Sequence, residues 1–186
     1  MKTEKEKMLA GEPYLAWDKE LYSERIRCRR TLQVLNDSIP NTKSWRAAID
    51  ELLPENDNAY LEPPFRCDYG SNIIAGKNFY ANFNCVILDV ARVYIGDNVM
   101  LAPNVQIYTA GHPLEKVGRV DEGVEFGTEI HIGDNVWIGG GAIICPGVRI
   151  GDNSVIGAGS VVTKDVPANM VAAGNPCKVI KAIDNS

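Results

Sequence analysis

The two histidines are the best candidates in this 186-residue sequence for moving a proton. A histidine ring has an ordinary pKa of about 6.5, so it is largely neutral yet readily protonated near neutral pH. His112 lies in the run Thr-Ala-Gly-His-Pro, where the following proline stiffens the backbone. His131 directly precedes Ile132 on a predicted strand, with its side chain expected to face outward. We therefore interpret His131 as structural, whereas the residues alone leave the role of His112 open, because a lone histidine in a loop is more often not catalytic.

The remaining reactive groups form weaker patterns. Five cysteines, an odd number without paired close spacing, favour reduced thiols over a disulfide framework. Two of them, Cys85 and Cys145, fall within the repeats described next and are interpreted as packing residues. Asp68 precedes Gly70, and its surroundings alone favour a turn carboxylate. The cysteines are Cys28, Cys67, Cys85, Cys145 and Cys177.

A six-residue period organises the part of the chain that must position these groups. Neither a helix, with spacings of three and four, nor a simple alternating strand produces this period. Short strands joined by tight corners produce it, with one side chain in six pointing into a prism and glycine, Asp-Asn or Pro-Gly at the corners. The repeating residues are Ile74, Tyr80, Val86, Ile95, Leu101, Ile107, Ile132, Ile138, Ile144, Ile150, Ile156 and Val162.

Two segments depart from the period. Between Ile107 and Ile132 the step is too long for a corner, so residues 108–131 are predicted to leave the prism as a loop with both histidines near its ends. Residues 1–57 show helical spacing, with one apolar face along 21–35 and a second short helix over 44–53 that ends at Pro54. The sequence thus predicts an N-terminal helical segment, 1–57, that packs against the first coils of a prism formed by 58–186.

Charge and composition exclude some classes of function. A net charge of -5 gives no basic face for nucleic acid, so no nucleic-acid partner is expected. The start of the chain is charged and lacks an apolar signal core, and no apolar run reaches the length of a membrane span. Together with the cysteine pattern, this predicts a cytoplasmic protein with no membrane partner.

Four stretches resemble the maltose and galactoside O-acetyltransferases, a branch of the hexapeptide-repeat acyltransferases. The resemblance implies a mainly all-β fold, a left-handed parallel β-helix, and acetyl-CoA-dependent transfer to a sugar hydroxyl, the 6-hydroxyl of maltose, glucose or a galactoside. It also implies a homotrimer with active sites between subunits and no required metal. The stretches are MLAGEPYLAWDKEL, YGSNIIAGKNFYANFN, IGDNVMLAPNVQIYTAGHP and IGDNVWIGGGAIICPGVRIGDNSVIGAGSVVTKDVPANMVAAGNPCKVI.

The resemblance also assigns roles to residues of this sequence. It makes His112 and Asn82 catalytic, and it gives the N–H of Gly140 a place at the oxyanion, while Trp137 is either a wall of the cofactor groove or a packing residue. Sugar-binding candidates are Asp68, Asp89, Glu125 and Asp18. Candidates for binding coenzyme A are Gly140, Ala158, Thr163, Lys164, Lys178 and Lys181.

Three alternatives stay open at this point. The same β-helix carries a zinc carbonic anhydrase activity, which needs three ligands where this sequence has two histidines. A hexapeptide scaffold without catalysis is the second alternative. The third is another acetyltransferase of the same prism class, acting on serine, an aminosugar or an antibiotic, although the N-terminal helices resemble those of the sugar class.

Overall fold

The computed structural model describes residues 2–184, which form a three-sided prism of parallel strands with helices at its N-terminal end. The helices are α1 (Glu4–Leu9), α2 (Lys19–Asp37) and α3 (Lys43–Leu52). Each helix begins at a side-chain cap, from Thr3, Asp18 and Thr42 respectively. None of the helices in this described part combines the length and apolar character of a bilayer span.

The strands of each coil fall on three faces, and successive coils pair in parallel. The first face contains β1 (Glu55–Asp57), β4 (Ile73–Lys77), β7 (Val93–Ile95), β12 (Ile130–Ile132) and β15 (Arg149–Ile150). The second contains β2 (Tyr60–Leu61), β5 (Tyr80–Ala81), β8 (Met100–Leu101), β13 (Trp137–Ile138), β16 (Val155–Ile156), β18 (Met170–Ala173) and β19 (Lys178–Ala182). The third contains β3 (Arg66–Cys67), β6 (Val86–Leu88), β9 (Gln106–Tyr108), β14 (Ile143–Ile144) and β17 (Val161–Val162). The expected β-helical fold is confirmed.

Two side chains per hexapeptide, rather than the one expected, point into the prism. Val136 and Ile138 show the pattern, since both are fully buried and Trp137 between them is half exposed. The alternation follows from strand geometry, which sends successive side chains to opposite sides. The first inward position is smaller or polar in the last coils, where Ser154 and Ser160 occupy it.

The predicted register is wrong by one residue in the second coil. Ile74, Tyr80 and Val86 were expected to point inward, but all three are only partly buried. Instead Ala75, Ala81 and Ile87 pair with the inward residues Ile95, Leu101 and Ile107 of the next coil. The aliphatic and aromatic residues on both sides of each strand made the two registers look alike in the sequence.

Asparagines stack along the corner between the first and second faces, which we call the asparagine corner. Each has φ between 56° and 59°, the left-handed conformation that asparagine tolerates better than most residues. Their side-chain amides bond from one coil to the next at 3.0–3.1 Å. The residues are Asn78, Asn98, Asn135, Asn153 and Asn169.

The helical segment closes the N-terminal end of the prism. Trp45 of α3 is buried, and its indole N–H donates to the Leu61 carbonyl at 3.0 Å. Helix α2 buries Leu21, Cys28, Leu32 and Leu35, the face that its spacing predicts. Strand pairing already begins at β1, inside the segment drawn as residues 1–57, and α1 had no predicted counterpart.

The loop leaves the third face after β9 and returns at β12. Its base is a short antiparallel pair, β10 (Ala110–Gly111) with β11 (Phe126–Gly127), and a π-helical turn, Val117–Glu122, forms its tip. The side chains of Leu114, Val117 and Val120 on this loop are exposed. The loop therefore contains regular secondary structure and exposes apolar side chains.

We predict that Gly133→Ala destabilises the prism by about 3 kcal/mol, because it overpacks a corner. A Cβ at this position would lie 2.1 Å from Asp152 Oδ1 and 2.8 Å from Asp152 N. Gly159→Ala is the matched control: it has open space around it but a φ of +67°, so it should cost about 1 kcal/mol. Denaturant unfolding at one protein concentration measures both. Equal losses would contradict the crowding argument.

Candidate active site

A cavity of about 350 Å³ opens where the third face turns into the first, a position we call the pocket corner. Helix α2, the N-terminal segment and the base of the loop surround it. Three predicted site residues meet there, namely His112, Asp68 and Glu125. The full lining is Tyr14, Ala16, Arg25, Arg29, Asp68, Tyr69, Leu88, Val90, Ala110, His112 and Glu125.

His112 follows β10 and is held by the base of the loop. Its Nδ1 lies 3.4 Å from the carbonyl oxygen of Val124, just before β11. When Nδ1 carries the proton and faces this carbonyl, Nε2 has a free lone pair. The ring is exposed, so a ligand in the cavity can reach that nitrogen.

Asp68 and two arginines give the cavity a mixed charge. Burial raises the pKa of Asp68, while the nearby guanidinium groups of Arg25 and Arg29 oppose this shift. Arg25 donates to the Tyr69 hydroxyl at 2.7 Å and to the Ala16 carbonyl. The arginine thereby ties α2 to both the N-terminal segment and the prism beside the carboxylate.

Glu125 forms backbone and side-chain hydrogen bonds with Tyr14. The two residues exchange backbone hydrogen bonds of 2.9 and 3.0 Å, and the Tyr14 hydroxyl donates to Glu125 Oε2 at 2.9 Å. Burial and the Glu125 carboxylate raise the pKa of Tyr14. The loop thus lies against the N-terminal segment, and Glu125 keeps an oriented carboxylate on the cavity wall.

Two carboxylates expected to contact sugar lie elsewhere. Asp89 has no exposed surface, and its Oδ1 accepts the backbone N–H groups of Asp68 at 2.9 Å and Tyr69 at 3.0 Å. In this structure it fixes the backbone that carries Asp68 and has no surface for direct contact, which corrects the expectation. Asp18 caps α2 through the N–H groups of Glu20 and Leu21, and it is not part of the cavity wall.

Asn82 follows β5, at the corner between the second and third faces. Its Oδ1 accepts the N–H of Phe83 at 2.8 Å. Two coils further along the same corner come Gly140 and then Ala158, so we call it the glycine corner. The Gly159 N–H donates to the Gly140 carbonyl at 2.9 Å. Gly140 and Ala158 thus place little side chain at the corner that carries Asn82, while His112 lies across the third face at the pocket corner.

The other four candidates for binding coenzyme A are divided between two places. Thr163 and Lys164 follow β17, on the pocket-corner side of the third face. Lys178 and Lys181 lie on β19, which pairs antiparallel with β18. All four residues are exposed. Within one chain the third face separates Thr163 and Lys164 from Gly140 and Ala158, whereas Lys178 pairs with Ala173 at the end of β18, on the second face that borders the glycine corner.

His131 lies on the first face, away from the cavity. Its ring stacks on Tyr94 with centroids 4.6 Å apart. Burial and the nearby Arg149 lower its pKa, which suits a packed, neutral ring. Among residues 2–184, no three histidine, cysteine, aspartate or glutamate side chains are grouped as metal ligands would be.

Four residues of the cavity escaped the sequence analysis: Tyr14, Arg25, Arg29 and Tyr69. The two arginines lie on α2, where arginines are typical of a solvated helix face. No local signal marks the tyrosines, because their place at the cavity depends on packing between distant segments. The position of Tyr69 directly after Asp68 was the one available hint.

The prism, its helical cap and the cavity define a hexapeptide-repeat acetyltransferase. A model of the bacterial transferase hexapeptide matches residues 129–164, and a model of the maltose acetyltransferase hexapeptide capping motif matches residues 7–55. The second match covers the helices that form one wall of the cavity. The helical wall of the cavity and the prism thus each match a model of hexapeptide transferases.

The chain belongs to the family of the maltose and galactoside O-acetyltransferases. It is 46% identical to the galactoside O-acetyltransferase of Escherichia coli, over 97% of this chain and 89% of that protein. A maltose O-acetyltransferase from Clostridium difficile has a structure with a TM-score of 0.95 and 52% identity, covering 99% of both chains. A galactoside acetyltransferase in complex with coenzyme A has a TM-score of 0.93 and 43% identity, covering 100% of this chain and 93% of that one. The expected acetyltransferase class is confirmed.

We predict that Asp89→Asn removes a pH dependence of stability. Burial raises the pKa of Asp89 to about 6, above the ordinary value of about 3.9. Between these values the folded protein binds more protons than the unfolded chain, so its unfolding free energy falls as pH rises from 4 to 6. The loss is about 2–3 kcal/mol. The unfolding free energy of Asp89→Asn, relative to that of the parent, should therefore rise by this amount between pH 4 and pH 6.

Denaturant unfolding at several pH values tests the prediction. Asp37→Asn, at an exposed carboxylate on the last turn of α2, corrects for the change in net charge. A stability difference between parent and Asp89→Asn that stays constant from pH 4 to 7 would refute it.

Proposed function

We propose that this protein transfers the acetyl group of acetyl-CoA to a hydroxyl of a sugar bound in the cavity at the pocket corner. The acceptor hydroxyl is the 6-hydroxyl of glucose, maltose or a galactoside. The observation that carries the proposal is the convergence of His112 with Asp68 and Glu125 on one cavity. A base beside oriented carboxylates is the arrangement that binding and deprotonating a polyhydroxy acceptor requires.

His112 removes the proton from the acceptor hydroxyl through Nε2. Its Nδ1 faces the Val124 carbonyl, which favours the tautomer with a free Nε2 and stabilises the ring after it is protonated. The alkoxide then attacks the thioester carbonyl directly, and the ring returns the proton to the departing thiolate. No covalent enzyme intermediate is needed.

Asp68, Glu125 and Arg25 hold the acceptor. Carboxylates accept hydrogen bonds from sugar hydroxyls, and the Tyr14–Glu125 and Arg25–Tyr69 bonds fix the groups before the sugar arrives. Preorganised groups lower the cost of orienting the hydroxyl toward the base. Asp89 contributes through the backbone of Asp68, and Asp18 through the start of α2.

Coenzyme A lies along the glycine corner, where Gly140 and Ala158 leave room for the pantetheine arm. The N–H of Gly140 and the amide of Asn82 serve the oxyanion of the tetrahedral intermediate. Thr163 and Lys164, with Lys178 and Lys181, supply hydroxyl and cationic groups for the nucleotide and its phosphates. The known complex of a related galactoside acetyltransferase with coenzyme A supports this donor.

The separation of His112 from Asn82 supports an active site shared between subunits. The two residues lie at opposite edges of the third face, so both reach one thioester when the pocket corner of one chain meets the glycine corner of another. A cyclic trimer repeats this contact three times and closes. The exposed apolar side chains of the loop, Leu114, Val117 and Val120, offer contact area for it.

The first test is a turnover screen with acetyl-CoA against monosaccharides and disaccharides, read by thiol release. We predict that His112→Ala loses about 10²–10⁴-fold in turnover, because the general base is removed. Binding of coenzyme A, measured by calorimetry, should be largely retained. His131→Ala is the control and should keep near-normal turnover. Near-normal turnover in the His112 variant would remove the assignment.

A mixing experiment tests the shared site. His112→Ala and Asn82→Ala chains are each expected to be nearly inactive, but co-expressed mixed trimers contain sites that combine both unaltered residues. For random equal mixing, about a quarter of the sites are intact. Recovery of activity near this fraction is expected. If the mixture stays as inactive as the separate variants, the two residues do not come from different subunits.

A further inference from the structure

A second groove continues from the candidate active site along α2. Its volume is about 410 Å³, and its lining is Arg29, Leu32, Gln33, Asn36, Asp37 and Arg66. Arg29 also lines the cavity that contains His112, so this side chain stands at the boundary between the two spaces. The two spaces are therefore neighbours on the surface, with Arg29 between them.

The charges of this groove differ from those of the first cavity. In the first cavity Asp68 and Glu125 offset Arg25 and Arg29. The lining of the groove carries two arginines, Arg29 and Arg66, and one carboxylate, that of Asp37; Arg29 also lies near Asp68 of the first cavity, so Arg66 is the cation that belongs to the groove alone. Both arginines are exposed, and across the described residues 2–184 neither side chain is engaged in an ion pair or a hydrogen bond.

Three other arginines of the described residues have hydrogen-bond partners. Arg25 donates to Tyr69 and Ala16, Arg46 to Asp50 and Ala59, and Arg119 to two loop carbonyls. Arg29 and Arg66 keep their planar sets of N–H donors for a ligand, and a guanidinium group binds carboxylate and phosphate oxygens in pairs.

We propose that this groove is an acceptor subsite for an anionic group, so that the preferred acceptor is a glycoside with a carboxylate or phosphate beyond the sugar that is acetylated. The sugar lies in the cavity with His112, and the anionic group lies between Arg29 and Arg66. This inference rests on the proposed function, because it extends the same acceptor site.

Two matched pairs of acceptors test the subsite. Maltobionate and maltitol share a glucose unit with a free 6-hydroxyl and differ in one carboxylate on the opened unit; lactobionate and lactitol make the same pair with galactose. We expect kcat/KM to be about fivefold higher for the anionic member at low salt, the effect of one exposed charge contact. The preference should shrink at 0.5 M salt, where the Debye length is only a few ångströms.

Arg66→Gln removes a cation of the groove, so it should bring the anionic-to-neutral ratio of kcat/KM close to one. Arg66 is the residue to change because it lines the groove and not the cavity with His112. Arg30→Gln, also exposed on α2 but outside the groove, is the matched control and should leave the ratio unchanged. A parent ratio near one, or a ratio that Arg66→Gln does not change, overturns the subsite and leaves sugar acetylation standing. Failure of the parent to acetylate all four acceptors overturns the proposed function together with the subsite.

Discussion

Main-chain hydrogen bonds between successive coils are the constraint on which the rest of this structure depends. Along the second face the N–H groups of Tyr80, Met100 and Trp137 donate to carbonyls of the next coil at 2.9, 2.9 and 3.1 Å. Because each bond fixes the height and the register of the next strand, residues at equivalent corner positions stack directly above one another. Side chains at one corner therefore form a column along the prism, such as the stacked asparagines of the asparagine corner or the small residues of the glycine corner. The candidate active-site cavity combines residues of the pocket corner with residues of two segments outside the stacked coils, the loop and the helical segment.

The period of six made most of the prism predictable, since nine of the twelve expected inward residues are buried as expected. The second coil was misplaced by one residue because Ile74, Tyr80 and Val86 are as apolar as their inward neighbours. The cavity was less predictable. His112 stood out through its rarity and its place at the start of the loop, whereas the contact of Tyr14 with Glu125 spans 111 positions and leaves no trace in local spacing. The burial of Asp89 likewise depends on the stacking of two corners, which a family motif does not specify.

The proposed acceptor side and the proposed donor side follow different physical rules. The donor side consists of corners with little side chain, where the backbone itself offers hydrogen bonds and shape. The acceptor side consists of side chains brought in by α2 and the loop and held by directed bonds such as that from Arg25 to Tyr69. Under the proposed function, changes in α2 would alter the accepted sugar while the prism, the proposed site of the thioester, stays the same.

The final strand, β19, has a consequence for the behaviour of the molecule in concentrated solution. A stack of parallel coils ends in a row of unpaired backbone N–H and C=O groups. Strands of another molecule can pair with such groups, as they do when fibres grow. Here β19 turns back antiparallel on β18 and presents Lys178 and Lys181 at the edge. A parallel strand of a second copy would meet reversed backbone polarity and two lysines at this edge of the second face, which disfavours end-to-end extension of the solenoid there.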